Sequence, residues 1–263
     1  MDSPYILEET GDYAVVFKPP QMHSRPQGTW NSDQEKEISE PKTLLEWYAA
    51  QQVAAQFAHV YDIMHRLDYE THGLALIAKN GNSFHFFKSL QDKGEFVKEY
   101  SAVCLNSTED ENDLRSALNQ RFGGIPHHLP GFPPCPRVSD NIIESWFRPF
   151  GSGRKQVRPV IDDGKKHGET AKDKGAFYKT EIISADKNVF KVRIKRGFRH
   201  QIRCHLCWIG FPILNDPLYS PAADERLPGD NYFRGQTLAL RAHALYFTDP
   251  ANGGSREYRI QPI

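Results

Sequence analysis

The sequence predicts an α+β protein with a mixed, mostly antiparallel central sheet flanked by helices and long loops. Most periodic segments alternate apolar and polar residues, which is the pattern of a strand with one buried face. Few segments have helical spacing. One short run, GLALIA at 73–78, is apolar throughout, as in a strand buried on both faces. No low-complexity linker divides the chain, so we expect a single domain over residues 1–263.

The first part of the chain is predicted to form a hairpin and two helices around this buried strand. Residues 5–10 and 13–18 are predicted to be the two strands of this hairpin, on either side of Gly11-Asp12, a dipeptide that suits a tight turn. Apolar residues recur at helical spacing over 44–57 and, more briefly, over 83–90.

The second part is predicted to contain one helix, over residues 199–209, and six strands. The strands are expected at 98–105, 142–147, 176–183, 189–195, 237–247 and 256–263. In the strand at 189–195, apolar residues alternate with a basic row formed by Lys191, Arg193 and Lys195. Residues 22–41 and about 106–140 are expected to be long loops, the second resembling an insertion.

Composition excludes several classes of protein. Apolar residues make up 39% of the 263 residues, which excludes a disordered chain. No apolar run approaches the roughly 20 residues of a membrane helix, and the N-terminus is acidic, so we expect neither a membrane span nor a secretory signal. Four cysteines do not suggest a disulfide scaffold, which favours a cytoplasmic protein.

The charge is balanced overall but unevenly distributed. Lysine and arginine total 33, as do aspartate and glutamate. Residues 186–203 nevertheless hold seven basic residues against one acidic, and residues 148–175 hold eight against four. A basic face of this kind fits phosphate-backbone binding, although two ordinary solvated faces would give the same pattern.

Two segments carry candidate functional residues. His65-Arg66-Leu67-Asp68 ends in a carboxylate just before the turn into the buried strand, although a loop aspartate often only caps nearby amides. In the helix predicted at 199–209, Ile202, Leu206 and Ile209 would form a core stripe, and Arg199, His200 and Arg203 would lie together on another face. Arg203 could then grip a carboxylate with its forked guanidinium group, or these could be surface charges.

Metal binding, phosphoryl transfer and serine hydrolysis have little support in the sequence. Cys204-x-x-Cys207 is a lone pair, and neither Cys104 nor Cys135 provides the second pair that a structural zinc site needs. Small buried thiols are the favoured interpretation, and we expect no metal. The sequence has neither a glycine-rich phosphate loop nor a GxSxG nucleophile turn.

Five segments, in order along the chain, resemble the RluA-like family of RNA pseudouridine synthases, which act on ribosomal large-subunit RNA and tRNA. HRLDYETHGLALIAK at 65–79 resembles its HRLDxxTSGLLLxAK signature. The other four are YILEETGDYAVVFKPPQMHSRP at 5–26, KEYSAVC at 98–104, RIKRGFRHQIRCHLCWIGFPILNDPLY at 193–219 and LALRAHALYFTDP at 238–250. Together they extend over nearly the whole chain.

The resemblance implies a single catalytic domain that isomerises uridine to pseudouridine without a cofactor. It implies that Asp68 is the catalytic aspartate, acting either as a nucleophile or as a base. Arg203 matches the family's basic partner of this aspartate, and Tyr100 its base-stacking aromatic residue. It also leads us to expect that the chain lacks the small RNA-binding module that precedes the domain in some relatives.

The resemblance further implies an RNA partner, ribosomal or transfer, whose target uridine leaves a single-stranded loop to reach the site. We expect no membrane partner and favour a monomer. The predicted substrate-binding residues are His65, Arg66, Thr71, His200, Gln201, Ile202, Leu206, Lys191, Arg193 and Lys195, with Lys165 and Lys166 as further phosphate contacts.

Three residues depart from the family pattern. His72 replaces a serine, Phe198 an arginine and Asn215 a glycine. These departures motivate a second hypothesis, a catalytically silent RNA-binding protein or RNA chaperone on the same fold. A third and weaker hypothesis is a metal-dependent nuclease or deaminase that uses Cys204, Cys207 and the nearby histidines, His200 and His205.

Overall fold

The computed structural model describes residues 3–26, 42–54, 62–105, 131–133, 141–161, 177–220 and 237–263. In chain order the elements are β1 (Tyr5–Glu9), β2 (Tyr13–Lys18), α1 (Leu44–Ala54), β3 (Asp62–Ile63), β4 (His72–Ala78), α2 (Gly81–Lys93), β5 (Val97–Val103), β6 (Ile142–Phe150), β7 (Gln156–Val160), β8 (Tyr178–Asp186), β9 (Val189–Ile194), α3 (Gln201–Trp208), β10 (Leu240–Thr248) and β11 (Ser255–Arg259). The predicted α+β class is confirmed.

The chain divides into two compact units. The first comprises Met1–Lys98 and Arg241–Pro262, and the second comprises Glu99–Leu240 with Ile263. In the first unit the strand order is β1-β2-β4-β10. In addition, β3 pairs with β4 and β11 pairs with β10. These pairs are antiparallel except β4 with β10, which is parallel. The predicted hairpin of β1 and β2 is confirmed.

Strand β4 is the centre of the first unit. All seven of its residues are buried, as the apolar run predicts. On one face Leu74 and Leu76 pack in a cluster with residues of β2, α2 and β10, and on the other Ala75 and Ile77 pack with residues of β2 and α1. The strand therefore belongs to two hydrophobic clusters, and burial of apolar area on both faces is the main term that stabilises it.

Helix α1 begins with reciprocal capping bonds. Thr43 Oγ1 accepts the amide of Glu46 at 3.2 Å, and Glu46 Oε2 accepts the amide of Thr43 at 2.9 Å. This capping box satisfies two amides that the first turn leaves without partners. The helix is described as far as Ala54, so its predicted end at Phe57 lies outside the described residues.

Helix α2 is longer than the predicted 83–90. It begins after Asn80, whose side chain accepts the amide of Ser83, and it ends at Gly94 in the left-handed conformation. Both caps are of residue types that favour these positions. The apolar spacing over 83–90 covers only the central part of this helix.

In the second unit the strand order is β5-β9-β8-β6-β7. The pairings of β8 with β9 and of β6 with β8 and β7 are antiparallel. The alternation predicted for β9 is confirmed, since Phe190, Val192 and Ile194 are buried while Lys191 is exposed. Strand β7, which contains Pro159, was not predicted from the sequence, and neither was the two-residue strand β3.

The third helix differs from the prediction in its start and in the burial of its residues. His200 adopts the left-handed conformation, with φ 56°, so the helix begins at Gln201 rather than Arg199. All eight helical residues are buried, so the predicted stripe of Ile202, Leu206 and Ile209 is not a separate face. Arg199 is exposed while Arg203 is fully buried, and the predicted grouping of these two residues on one helix face was wrong.

Residues 27–41 and most of 106–140 lie outside the described residues, so the two long loops stay a prediction. Of the helices that the structure describes, none is long and apolar enough to cross a membrane.

We expect Gly73→Ala to lower the free energy of unfolding by about 3 kcal/mol or more. Gly73 has φ +123°, and a Cβ there would lie 2.2 Å from the carbonyl oxygen of Ala242 on β10. Backbone cannot move aside as a flexible side chain can. Urea unfolding measures the effect. Gly11→Ala, at a position with no atom within 4 Å, is the matched control. Equal stability of the two variants would contradict the close approach.

Candidate active site

Asp68 lies in the turn that leads into β4. Its carbonyl accepts the amide of Thr71 at 3.1 Å, which closes a four-residue turn. On its N-terminal side, Leu67 is held by Ser24, whose hydroxyl donates to the Leu67 carbonyl and accepts its amide, each at 2.9 Å. Asp68 is half-buried, and hydrogen bonds fix the backbone on both sides of it.

A buried lysine stands beside this turn. Lys18, the last residue of β2, is fully buried, and its Nζ donates to the carbonyls of Pro19, Met22 and Tyr69 at 2.9, 2.7 and 3.3 Å. Burial lowers the pKa of Lys18 to about 7, against the opposing effect of the negative charges of Asp68 and Glu70.

Lys18 thus cross-links the turn that follows β2 to the turn that holds Asp68. Its role was not predicted from the sequence. The available signal was a lysine at the end of an otherwise apolar strand, followed directly by two prolines.

The neighbouring residues of the motif differ in exposure. Arg66 is exposed, whereas His65 packs its ring against Phe96 at 5.3 Å, with its Nε2 3.3 Å from the carbonyl of Leu74. Burial, helped by the positive charge of Lys98, lowers the pKa of His65 to about 3. His65 is therefore a neutral ring at physiological pH.

Thr71 and His72 bring polar atoms into the interior without a partner. The Oγ1 of Thr71 and the Nδ1 of His72 are buried and make no hydrogen bond. His72 stands opposite Arg241 in the parallel pairing of β4 with β10. Burial, with the positive charges of Arg241 and Lys18, lowers the pKa of His72 to about 4.

The other predicted catalytic residues belong to the second unit. Tyr100 is a buried residue of β5. Arg203 lies in α3, where its Nε and Nη2 each donate at 2.8 Å to a different carboxylate oxygen of Asp216. Both side chains of this pair are completely buried. Within its unit, Arg203 therefore binds the carboxylate of Asp216.

Asp216 and Tyr219 support this arginine. Asp216 Oδ1 also accepts the amides of Leu218 and Tyr219. The ring of Tyr219 lies 5.5 Å from the guanidinium carbon of Arg203. Both residues lie in the segment at 193–219 that resembles the family, but no role was predicted for them from the sequence.

The remaining residues predicted around α3 are mostly committed to contacts within the fold. Gln201 donates to the Lys179 carbonyl and to Thr180 Oγ1, and its Oε1 accepts the amide of Phe198. His200 Nδ1 lies 3.2 Å from the hydroxyl of Tyr219. Ile202 and Leu206 are buried, and their predicted place in a uracil pocket stays a prediction.

The basic row on β9 is partly neutralised. Arg193 donates to Glu99 at 2.7 Å and contacts Glu181 at 3.5 Å, so its charge faces two carboxylates. Lys191 and Lys195 are exposed. Lys165 and Lys166 lie outside the described residues.

The cysteines near α3 are buried thiols. Cys204 and Cys207 donate to the carbonyls of Val157 and Tyr219, and burial raises the pKa of both thiols. Among the described residues, which do not include Cys135, no three His, Cys, Asp or Glu side chains cluster as metal ligands would. The structure thus gives the CxxC pair a packing role.

Two of the three departures from the family pattern have a structural explanation. Phe198 stacks on Phe147 with ring centroids 5.0 Å apart and planes within 8°. Asn215 has φ 60°, a left-handed conformation that asparagine tolerates better than most residues, and its amide donates to the Thr237 carbonyl.

Comparison with known proteins gives consistent matches. The model of the family described as RNA pseudouridylate synthase matches residues 12–208. An uncharacterised RNA pseudouridine synthase of Helicobacter pylori is 27% identical over 176 residues, which cover 66% of this chain and 57% of that protein. Ribosomal large subunit pseudouridine synthase D of Buchnera aphidicola is 29% identical over 186 residues, or 70% of this chain and 45% of that protein.

A solved structure shows the same fold. Human RNA pseudouridylate synthase domain containing 4 aligns with a TM-score of 0.57 and 17% identity, covering 98% of this chain and 88% of that one. The chain spans about half the length of the curated relatives it matches.

We expect Lys18→Met to remove a pH dependence of stability. Between about pH 7 and pH 10.5 the buried lysine is neutral in the native state but charged in the unfolded chain, which then binds more protons. The free energy of unfolding of the wild type should therefore rise relative to that of Lys18→Met, by up to about 1.4 kcal/mol per pH unit.

Urea unfolding between pH 7 and pH 9.5 measures this difference. Lys79→Met is the matched control, because it removes a lysine bound to Glu9 and the Thr10 carbonyl while leaving Lys18 intact. A constant difference between wild type and Lys18→Met over this range would show that Lys18 does not release its proton there.

We expect Asp216→Asn to lower the free energy of unfolding by about 3–5 kcal/mol, because it leaves the guanidinium of Arg203 buried without its counter-charge. Glu144→Gln is the control, since it breaks an exposed pair with Lys179 and should cost less than about 1 kcal/mol. Urea unfolding compares the two variants, and equal losses would contradict the difference in burial.

Proposed function

The chain belongs to the RNA pseudouridylate synthase family, and we propose that it isomerises a specific uridine of a ribosomal or transfer RNA to pseudouridine. The observation that carries the proposal is the match of residues 12–208 to the family, a range that includes Asp68, Tyr100 and Arg203. We assign the reaction to the cytoplasm.

In this reaction the bond between C1′ of the ribose and N1 of uracil breaks, and the base rotates. A new bond then forms between C1′ and C5, N1 gains a proton and C5 loses one. The reaction is an isomerisation with no net oxidation or reduction, so the conversion requires no redox cofactor.

We assign the carboxylate that starts this sequence to Asp68, as nucleophile or as base. Both roles require an ionised oxygen held in a fixed position. The turn bond to Thr71 and the Ser24 bonds to Leu67 support this assignment, because they fix the backbone on either side of Asp68.

The roles of Tyr100 and Arg203 follow from the family motifs. Tyr100 would stack on the target uracil and assist removal of the C5 proton. Arg203 would supply positive charge for the catalytic carboxylate, a role that rests on the family motif, since its guanidinium binds Asp216 through two hydrogen bonds.

The RNA is proposed to present the uridine from a single-stranded segment, because a base inside a helix cannot reach a side-chain carboxylate. The Buchnera relative named for the ribosomal large subunit favours ribosomal RNA. Exposed Lys191 and Lys195 would contact phosphates next to the target.

The alternative of a catalytically silent RNA-binding protein was motivated by three departures from the family pattern, and two of these now have structural explanations. Phe198 stacks in an aromatic cluster, and Asn215 occupies a backbone conformation that asparagine accepts. Two of the three departures are thereby explained by packing and backbone geometry. His72 remains as the departure that lies close to Asp68 in the chain.

We expect Asp68→Asn to reduce tritium release from RNA labelled at uridine C5 by on the order of 10²–10⁴-fold or more. The C5 hydrogen leaves during isomerisation, whereas the mass of the RNA does not change. Total ribosomal RNA and total tRNA, assayed separately, identify the class of substrate.

Asp62→Asn is the matched control, because Asp62 is a carboxylate six residues before Asp68 in the chain, on β3, where it pairs with Arg25. This variant should keep its activity. Full activity of Asp68→Asn would overturn the assignment of the carboxylate. Absence of release by the wild type from both RNA pools, with RNA binding intact, would favour the silent RNA-binding protein.

A further inference from the structure

An exposed pair of rings stands next to Asp68. Tyr69 is 43% exposed, which is unusual for a large aromatic side chain in this structure. The imidazole of His23, also exposed, lies 4.7 Å from its ring centroid at an angle of 42°. Two exposed rings from different turns therefore meet at the protein surface, with their planes inclined to each other.

The backbone under both rings is fixed. The Tyr69 carbonyl accepts a bond from buried Lys18 at 3.3 Å, and Tyr69 is a central residue of the turn closed by Asp68 and Thr71. The His23 carbonyl accepts the amide of Leu44 at 2.9 Å, at the start of α1. A surface whose backbone is held in this way loses little conformational freedom when it binds a ligand.

The charges around the pair favour a neutral planar ligand. Asp68 and Glu70 flank Tyr69 in the chain, and their carboxylates would repel a phosphate. A nucleobase carries no charge, and every base presents a π-face that stacks on an aromatic ring. Tyr69 directly follows Asp68 in the chain, and the two residues belong to the same turn.

We propose that Tyr69 and His23 form a stacking platform for a nucleobase adjacent to the uridine on which Asp68 acts. This inference rests on the proposed function and adds to it a contact with the neighbouring nucleotide. The platform acts on binding and takes no part in the making or breaking of bonds.

Two variants of Tyr69 and one control variant test the platform. Tyr69→Phe keeps an aromatic ring and should retain the kcat/KM of the wild type for tritium release. Tyr69→Leu keeps apolar volume but removes the π-face, and it should raise KM by roughly 5- to 100-fold. The kcat should change by less than about 3-fold, because uridine that does bind still meets Asp68. Tyr5→Leu is the matched control, since Tyr5 is also 43% exposed but lies on β1.

A binding assay separates this inference from the proposed function. The probe is a single-stranded oligouridine RNA with one central 2-aminopurine, whose fluorescence is quenched when the base stacks. The wild type and Tyr69→Phe should quench it, whereas Tyr69→Leu should need roughly 5- to 100-fold more protein.

The outcomes are distinct. If the wild type releases tritium and Tyr69→Leu has an unchanged KM, the platform is overturned while the proposed function stands. If the wild type releases none, the proposed function fails, and the quenching assay alone decides whether the platform binds a base. Equal quenching by the wild type and Tyr69→Leu, or none by either, overturns the platform.

Discussion

Burial of β4 on both faces sets the conditions for the rest of the first unit. Its neighbours must approach closely, and Gly73 at its start allows β10 to do so where a side chain would meet backbone. Because β4 is anchored along its whole length, the turn that precedes it begins from a fixed point. Asp68 is therefore held by the same packing that stabilises the sheet, as is common for functional loops on rigid scaffolds.

The buried charges form a second set of constraints. Lys18 is compensated by three backbone carbonyls and by nearby carboxylates, whereas Arg203 is compensated by a bidentate bond to Asp216. Burying charge costs free energy unless each group has partners of this kind. Hydrophobic residues packed in place of these charged side chains would often give an equally stable protein. We therefore regard the fixed orientation of the charges as the reason that charged side chains occupy these interiors.

Local pattern predicted the fold better than it predicted the site. Alternation identified β9, and a fully apolar run identified β4, because each pattern reports burial directly. Pattern failed for α3, where a polar sequence is buried on every side through bonds such as those of Gln201 and Arg203. Lys18 was missed for the same reason, since its partners are carbonyls that only the folded chain brings together. The catalytic roles proposed for Asp68 and Tyr100 came from family motifs and not from periodicity.

The reactivity of the buried thiols would report local unfolding of the second unit. Cys204 and Cys207 lie on α3, donate to carbonyls and resist ionisation, and the thiolate is the form that reacts with alkylating agents. Iodoacetamide would therefore modify them only in molecules whose helix has left its packed position. The rate of alkylation in the native protein would measure how often this region unfolds locally, without any added label.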